Sequence, residues 1–159
     1  MNMNEVVTRL LIEKHLTISF MESCTSGLLA SMLTDTEGAS AVFKGSFVTY
    51  SNEAKVFAGV DGEIIEKYGV YSAECARAMA ETALKKFGAD LAVGITGSTG
   101  NTDPNNADSV QGEAFFCILI DGKAHDYKIS IDVKNMSRKE IKQFYADEVY
   151  SALGTVLLS

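Results

Sequence analysis

A chain of 159 residues with 47% hydrophobic and 22% charged side chains can bury a core of its own, which excludes a disordered segment. Its formal charge of −7 argues against binding nucleic acid or an anionic membrane surface, since both need a basic face. No apolar run approaches the ~20 residues of a membrane span, and the polar start MNMNEVVTRLLIEKH lacks the layout of a signal peptide.

Val6, Val7, Leu10 and Leu11 recur at helical spacing, predicting an amphipathic helix over about 3–15. A short strand follows at 17–21, then a helix with Leu28, Leu29, Met32 and Leu33 on its apolar face, closed around Gly38. The β-rich run 42–50 predicts one or two strands, and Ser51 is placed to cap a helix that includes Lys55. A short helical piece at 61–67 precedes a stronger helix begun by Ser72-Ala73-Glu74, with Cys75, Met79, Ala83, Leu84 and Phe87 as its buried stripe. Gly88 ends that helix, and Leu91–Ile95 reads as a fully buried strand. A polar loop occupies 96–108. Strands at 113–120 and 123–133 flank Asp121-Gly122, a hairpin signal, and Ile141 to Val156 mark a closing helix.

Strands alternating with helices, with one late hairpin, predict an α/β fold: a single domain over 1–159, a three-layer α/β/α sandwich with a mixed, mainly parallel sheet. Cys24, Cys75 and Cys117 are odd in number and form no CxxC, so the expected setting is cytoplasmic and reduced, without disulfides. His15 and His125 have no further ligands at metal spacing, so neither a structural metal nor a cofactor is expected.

In such sheets ligands collect beyond the carboxyl ends of the strands, where loops converge. Three segments here pass from apolar strand to polar turn: Glu22–Gly27, Thr49–Lys55 and Thr96–Asp108. In the first, Ser23 or Thr25 can serve as a helix cap, which accounts for one hydroxyl but not for the run Ser23-Cys24-Thr25-Ser26. The other reading is a nucleophile beside backbone N–H groups free to hold an oxyanion. In the second, Lys55 is either a solvated charge or the base that a serine nucleophile needs, provided burial lowers its pKa. Tyr50 is a strand-end aromatic that could bond the lysine or stack on a cation. In the third, Gly97 and Gly100 let N–H groups face a ligand, unless the loop is merely surface.

These segments carry a family resemblance. Glu22-Ser23-Cys24-Thr25 followed by Gly27-Leu28-Leu29-Ala30 resembles the ESCTGGLLA signature of the CinA C-terminal domain family, and VTYSNEAK at Val48–Lys55 is similar to that family's own run. Gly38-Ala39-Ser40 with Phe43 and Gly45, Gly69-Val70 with Ser72, and Ala92–Gly97 resemble three further segments in order. Members associated with competence and DNA damage act as nicotinamide-nucleotide amidases in pyridine nucleotide salvage, releasing ammonia from nicotinamide mononucleotide. The resemblance implies Ser23 as nucleophile, Lys55 as general base, Tyr50 as a third catalytic residue, and backbone N–H groups near Thr25 to Gly27 as the oxyanion hole. It also implies that Glu22, Thr25, Ser26, Gly27, Thr96, Gly97 and Arg138 line the pocket of a pyridine nucleotide. A homo-oligomer is implied too. Cys24 is the rival nucleophile, soft and at a helix start.

The departures from the pattern fall around the substrate. One glycine of the family's CTGG is Ser26 here, the Pro-Gly-Gly run of its TGxAGPGGG loop is absent from 97–108, and Lys142 replaces the second arginine of DRxxVR. Asp103 and Asp108 are expected to bring negative charge toward a bound phosphate, which like charge disfavours. A catalytically weak nucleotide binder, or an amidase for a different amide, is the alternative these changes raise.

Overall fold

The computed structural model describes residues 1–100 and 103–159, so Asn101 and Thr102 of the altered loop lie outside the described residues. Along the chain come α1 (Met3–Lys14), β1 (Ile18–Glu22), α2 (Leu28–Leu33), a 3-10 turn (Ala39–Ala41), β2 (Phe43–Val48) and α3 (Asn52–Ala58). They are followed by α4 (Gly62–Tyr68), α5 (Ala73–Phe87), β3 (Leu91–Gly97), β4 (Glu113–Ile120), β5 (Lys123–Ser130) and α6 (Arg138–Leu158).

Among the described residues, five strands form one sheet in the order β2-β1-β3-β4-β5. β1 pairs parallel with both β2 and β3, whereas β3–β4 and β4–β5 are antiparallel, so β4 alone runs against the rest. Alternation along the strands divides the core. Ile18, Phe20, Val93, Ile95, Phe116 and Ile118 face α1, α2 and α6 with Val7, Leu11, Leu29, Tyr145 and Leu153. Met21 and Ala92 face the other way, against Met79 and Ala83 of α5, and Cys117 meets Ala76 and Ala80. Helices thus cover both faces, the sandwich expected.

Small residues let α5 approach the sheet. A Cβ on Gly94 would lie 2.3 Å from the Ala76 carbonyl oxygen and 2.5 Å from the Ala80 nitrogen, both backbone atoms that cannot rotate aside. Gly94→Ala is therefore expected to push α5 off β3 and lower stability by about 1–3 kcal/mol, read as a fall in the denaturation midpoint. An unchanged midpoint would contradict that packing.

Several ends follow local chemistry. Ser51, Asp61 and Ser72 each accept a hydrogen bond from a first-turn N–H, and Gly88 closes α5 with φ of 62°. Asp121 and Gly122 both have positive φ, as a two-residue hairpin turn requires. Two bounds and one buried stripe differ from expectation. β5 stops at Ser130 because the Asp132 carboxylate accepts from the Lys134 N–H and turns the chain. α6 begins before its first apolar residue because Ser137 and Glu140 form a capping box. In α5, Leu84 and Phe87 are only half-buried, while Ala76 and Ala80 are fully buried under β4.

The consequence for function is positional. β1, β2 and β3 all end on one edge, with Glu22 opposite both Val48 and Ile95. The chain leaves β1 for β2 on one side and reaches β3 on the other only later, so a crevice opens beyond their ends.

Candidate active site

At the end of β1, Glu22 is fully buried and gathers five donors. Its Oε1 accepts from the Thr25 hydroxyl at 2.8 Å, the Gly27 N–H at 3.2 Å and the Leu29 N–H at 2.8 Å. Its Oε2 accepts from the Ala30 N–H at 3.1 Å and the Ser46 hydroxyl at 3.3 Å. A side chain from the strand therefore caps α2, accepting from first-turn N–H groups that no helix can satisfy from within. Neither Ser23 nor Thr25 caps it through its own hydroxyl; the N-cap position is Gly27, with φ of 99°.

The next residue turns the other way. Ser23 stands at the mouth of a cleft, and its Oγ accepts a hydrogen bond from Lys55 Nζ at 3.1 Å. Lys55 is only 1% exposed; its amine also donates to the Thr49 carbonyl at 2.8 Å and the Ser51 carbonyl at 3.5 Å. Among the described residues no carboxylate lies within ion-pairing distance of that amine. Burial without a counter-ion pushes the Lys55 pKa below its usual 10.5, and the weaker pull of Cys75, Cys24, Asp103 and Glu53 only partly offsets it. The Ser51 cap explains how this happens: α3 must start at Asn52, which points Lys55 back under the end of β1.

The cleft measures about 600 Å³ and is lined by Ser23, Cys24, Tyr50, Tyr71, Asp103 and Arg138 among others. That size suits a small-molecule site. Tyr50 is 60% exposed, and its hydroxyl accepts from an Arg138 Nη at 3.0 Å. A second cavity of about 390 Å³ adjoins, sharing Cys24, Tyr50, Thr99 and Arg138 and adding Ser26, Lys139 and Lys142. Burial drives the Cys24 thiol up to about 12, so it is protonated and poorly nucleophilic at neutral pH. Among the described residues, no three His, Cys, Asp or Glu side chains gather closely enough to hold a metal ion.

A sequence model of the CinA C-terminal domain family matches residues 1–157. The chain belongs to the CinA C-terminal domain family. Curated CinA-like proteins from Fervidobacterium nodosum and Chlorobium limicola are 48% identical over 99 residues and 43% identical over 129 residues. Those matches span 62% and 80% of this chain but only 24% and 29% of the relatives' own lengths. A CinA superfamily structure from Klebsiella pneumoniae superposes with a TM-score of 0.90 at 25% identity, covering 98% of this chain and 96% of that one. A competence/damage-inducible protein from Agrobacterium tumefaciens gives 0.86 at 30% identity, over 100% and 98% of the two chains.

Within this CinA domain the expected site residues divide into two groups. Ser23, Lys55, Tyr50, Gly97 and Arg138 meet at the main cleft, Lys55 from behind Ser23 and the others on its walls. Ser26 faces the adjoining cavity, where its hydroxyl accepts from Lys142 Nζ at 3.3 Å. Glu22, Thr25, Gly27 and Thr96 do not line the cleft. Glu22 and Thr25 are turned inward and bonded to each other, Gly27 gives its N–H to Glu22, and the Thr96 hydroxyl donates to the Val70 carbonyl at 2.9 Å.

Two further expectations are corrected. Tyr50 makes no hydrogen bond to Lys55, because Arg138 holds its hydroxyl. The N–H groups of Ser26 and Gly27 are not free for an oxyanion, since the Ser23 carbonyl and Glu22 take them. The Cys24 and Thr25 N–H groups, in contrast, donate to no oxygen among the described residues. The capping role of Glu22 leaves no local sequence signal beyond an acid at a strand end.

Proposed function

We propose that this CinA domain is an amidohydrolase that cleaves the carboxamide of nicotinamide mononucleotide, giving nicotinic acid mononucleotide and ammonia. The observation that carries the reading is the 3.1 Å contact between Ser23 Oγ and a buried, uncompensated Lys55 amine. Neutral Lys55 takes the Ser23 hydroxyl proton as Oγ bonds to the carboxamide carbon, and the resulting oxyanion is held by the Cys24 and Thr25 N–H groups. The tetrahedral species then expels ammonia, with the proton returned by Lys55. Water, deprotonated by the same amine, hydrolyses the acyl ester and regenerates Ser23.

The raised thiol pKa of Cys24 supports serine over cysteine as the attacking atom. Arg138, reaching across to Tyr50, is the substrate-binding cation of this scheme, and Tyr50 offers a face to the pyridinium ring. Because Lys55 must be neutral to act, kcat/KM is expected to rise with pH through the amine's lowered pKa. It should then level off below 10.5, with no second limb from a cysteine before about 12. A pH profile of ammonia release checks this; one still climbing at pH 10.5 contradicts a buried lysine base.

A second reading keeps the chemistry and changes the amide. It is favoured by Asp103, Asn105 and Asn106 on the cleft wall, in the loop that lacks the family's Pro-Gly-Gly run. Comparing the nucleotide with its dephosphorylated riboside separates the two: the first reading predicts a higher kcat/KM for the nucleotide.

A further inference from the structure

The Asp103 carboxylate is the most tightly held acid on the cleft wall. Its Oδ2 accepts from the Tyr71 hydroxyl at 2.7 Å and from Asn106 Nδ2 at 2.7 Å, while Oδ1 accepts from the Asn105 N–H at 2.8 Å. The backbone N–H of Asp103 donates to Ser109 Oγ at 2.9 Å. Asn106 also accepts from Asn52 Nδ2 at 2.9 Å, and Asn52 opens α3, the helix that carries Lys55. The charge is thus braced between α3 and the turn that joins α4 to α5, in a fixed place relative to Ser23. The Asn106 and Tyr71 hydrogen bonds hold the carboxyl below its usual range, although burial opposes them.

Among the described residues no lysine or arginine lies within ion-pairing distance of Asp103. Glu53 adds a second negative charge to the same cleft, and the aromatic side chains of Tyr50 and Tyr71 line it. Lys55, behind Ser23, acts on Asp103 only beyond ion-pairing distance, and the remaining cations lie elsewhere. Lys139 and Lys142 line the adjoining cavity, which Asp103 does not, and only Arg138 belongs to both. The cleft wall is therefore polarised, acidic around Tyr71 and Asp103 and basic beyond Tyr50. A carboxylate without an ion-pair partner, beside aromatic rings, is suited to a positively charged ring.

We propose that Asp103 is a specificity-determining residue whose braced carboxylate selects amides carried on a cationic heteroaromatic ring over neutral amides of the same shape. The assignment rests on the cleft being the amide site. It reverses the expectation that Asp103 works against the substrate: the charge faces the ring and stands apart from the basic flank where an anionic tail would lie.

The test uses two probes, 1-methylnicotinamide as the cation and nicotinamide as its neutral counterpart, titrated calorimetrically into the Ser23→Ala protein so that nothing turns over. The cation is expected to bind about tenfold more tightly at low salt, an advantage that shrinks as ionic strength rises. Adding Asp103→Asn, which keeps the side chain's size, is expected to bring the ratio close to one while neutral-probe affinity stays within about twofold. An unchanged ratio overturns the proposal. So does an equal loss for both probes, which would mean that Asp103 only shapes the loop, and so does failure of both to bind at millimolar concentration. Lack of ammonia release by the wild type would count against the amidase reading alone, because the charge preference is measured without turnover.

Discussion

Replacing Lys55 with methionine is expected to lower ammonia release from nicotinamide mononucleotide by roughly three orders of magnitude or more, while the protein melts at the same temperature or higher. The two halves of this result come from one fact. An amine that is 1% exposed with no carboxylate beside it is a costly group to keep. Its depressed pKa means that the folded state disfavours the charged form. The penalty is present in full below the lowered folded pKa and fades as pH rises toward 10.5, so removing the amine helps stability at neutral pH. Methionine is apolar and of similar length, and it leaves the Thr49 and Ser51 carbonyls and Ser23 Oγ without this donor. Ser23→Ala is expected to lose activity to a similar degree, since residues acting as one unit fail together. Steady-state rates beside thermal melts check both variants. A Lys55→Met protein that is inactive because it is unfolded would remove the support for a functional lysine.

Glu22→Ala is expected to be the most damaging change near the site, lowering stability by about 3–5 kcal/mol. The loss has a defined origin. The Gly27, Leu29 and Ala30 N–H groups and the Thr25 and Ser46 hydroxyls all donate to this one carboxylate, and a buried donor without an acceptor is expensive. The six residues of α2 cannot supply acceptors for their own first turn. Ser23 sits directly after Glu22, so the turn that presents its Oγ loosens with the cap, and activity should fall as well. Chemical denaturation of Glu22→Ala beside Glu22→Gln measures the effect, with the amide retaining one acceptor and losing less. A midpoint unchanged in Glu22→Ala would show that α2 does not depend on this carboxylate.

How much of this was legible in the sequence depends on the range of the interaction. The Ser51 and Ser72 caps, the Asp121-Gly122 turn and the buried Leu91–Ile95 strand are local patterns, and each appears where chain order places it. The Ser23–Lys55 contact spans 32 positions, and no periodicity reveals it. It was legible only through the family's paired motifs and the rule that strand ends converge. Glu22 shows the limit. Its partners lie on a turn, a helix start and β2, so its role exists only once three elements meet. The Tyr50–Arg138 pair, 88 positions apart, was likewise beyond reach, and it takes the tyrosine hydroxyl that sequence reasoning offered to Lys55. Asp103 was visible as a charge but not as an orientation, because Tyr71, Asn106 and Asn52 converge on it only in the folded chain.

The central claim, attack by Ser23 Oγ, is tested most directly by acid-quenching the protein during turnover of nicotinamide mononucleotide and mapping the covalent adduct by peptide mass spectrometry. An acyl ester on Ser23 that disappears in Ser23→Ala is the expected result. A thioester on Cys24, or an adduct that persists in Ser23→Ala, would contradict it.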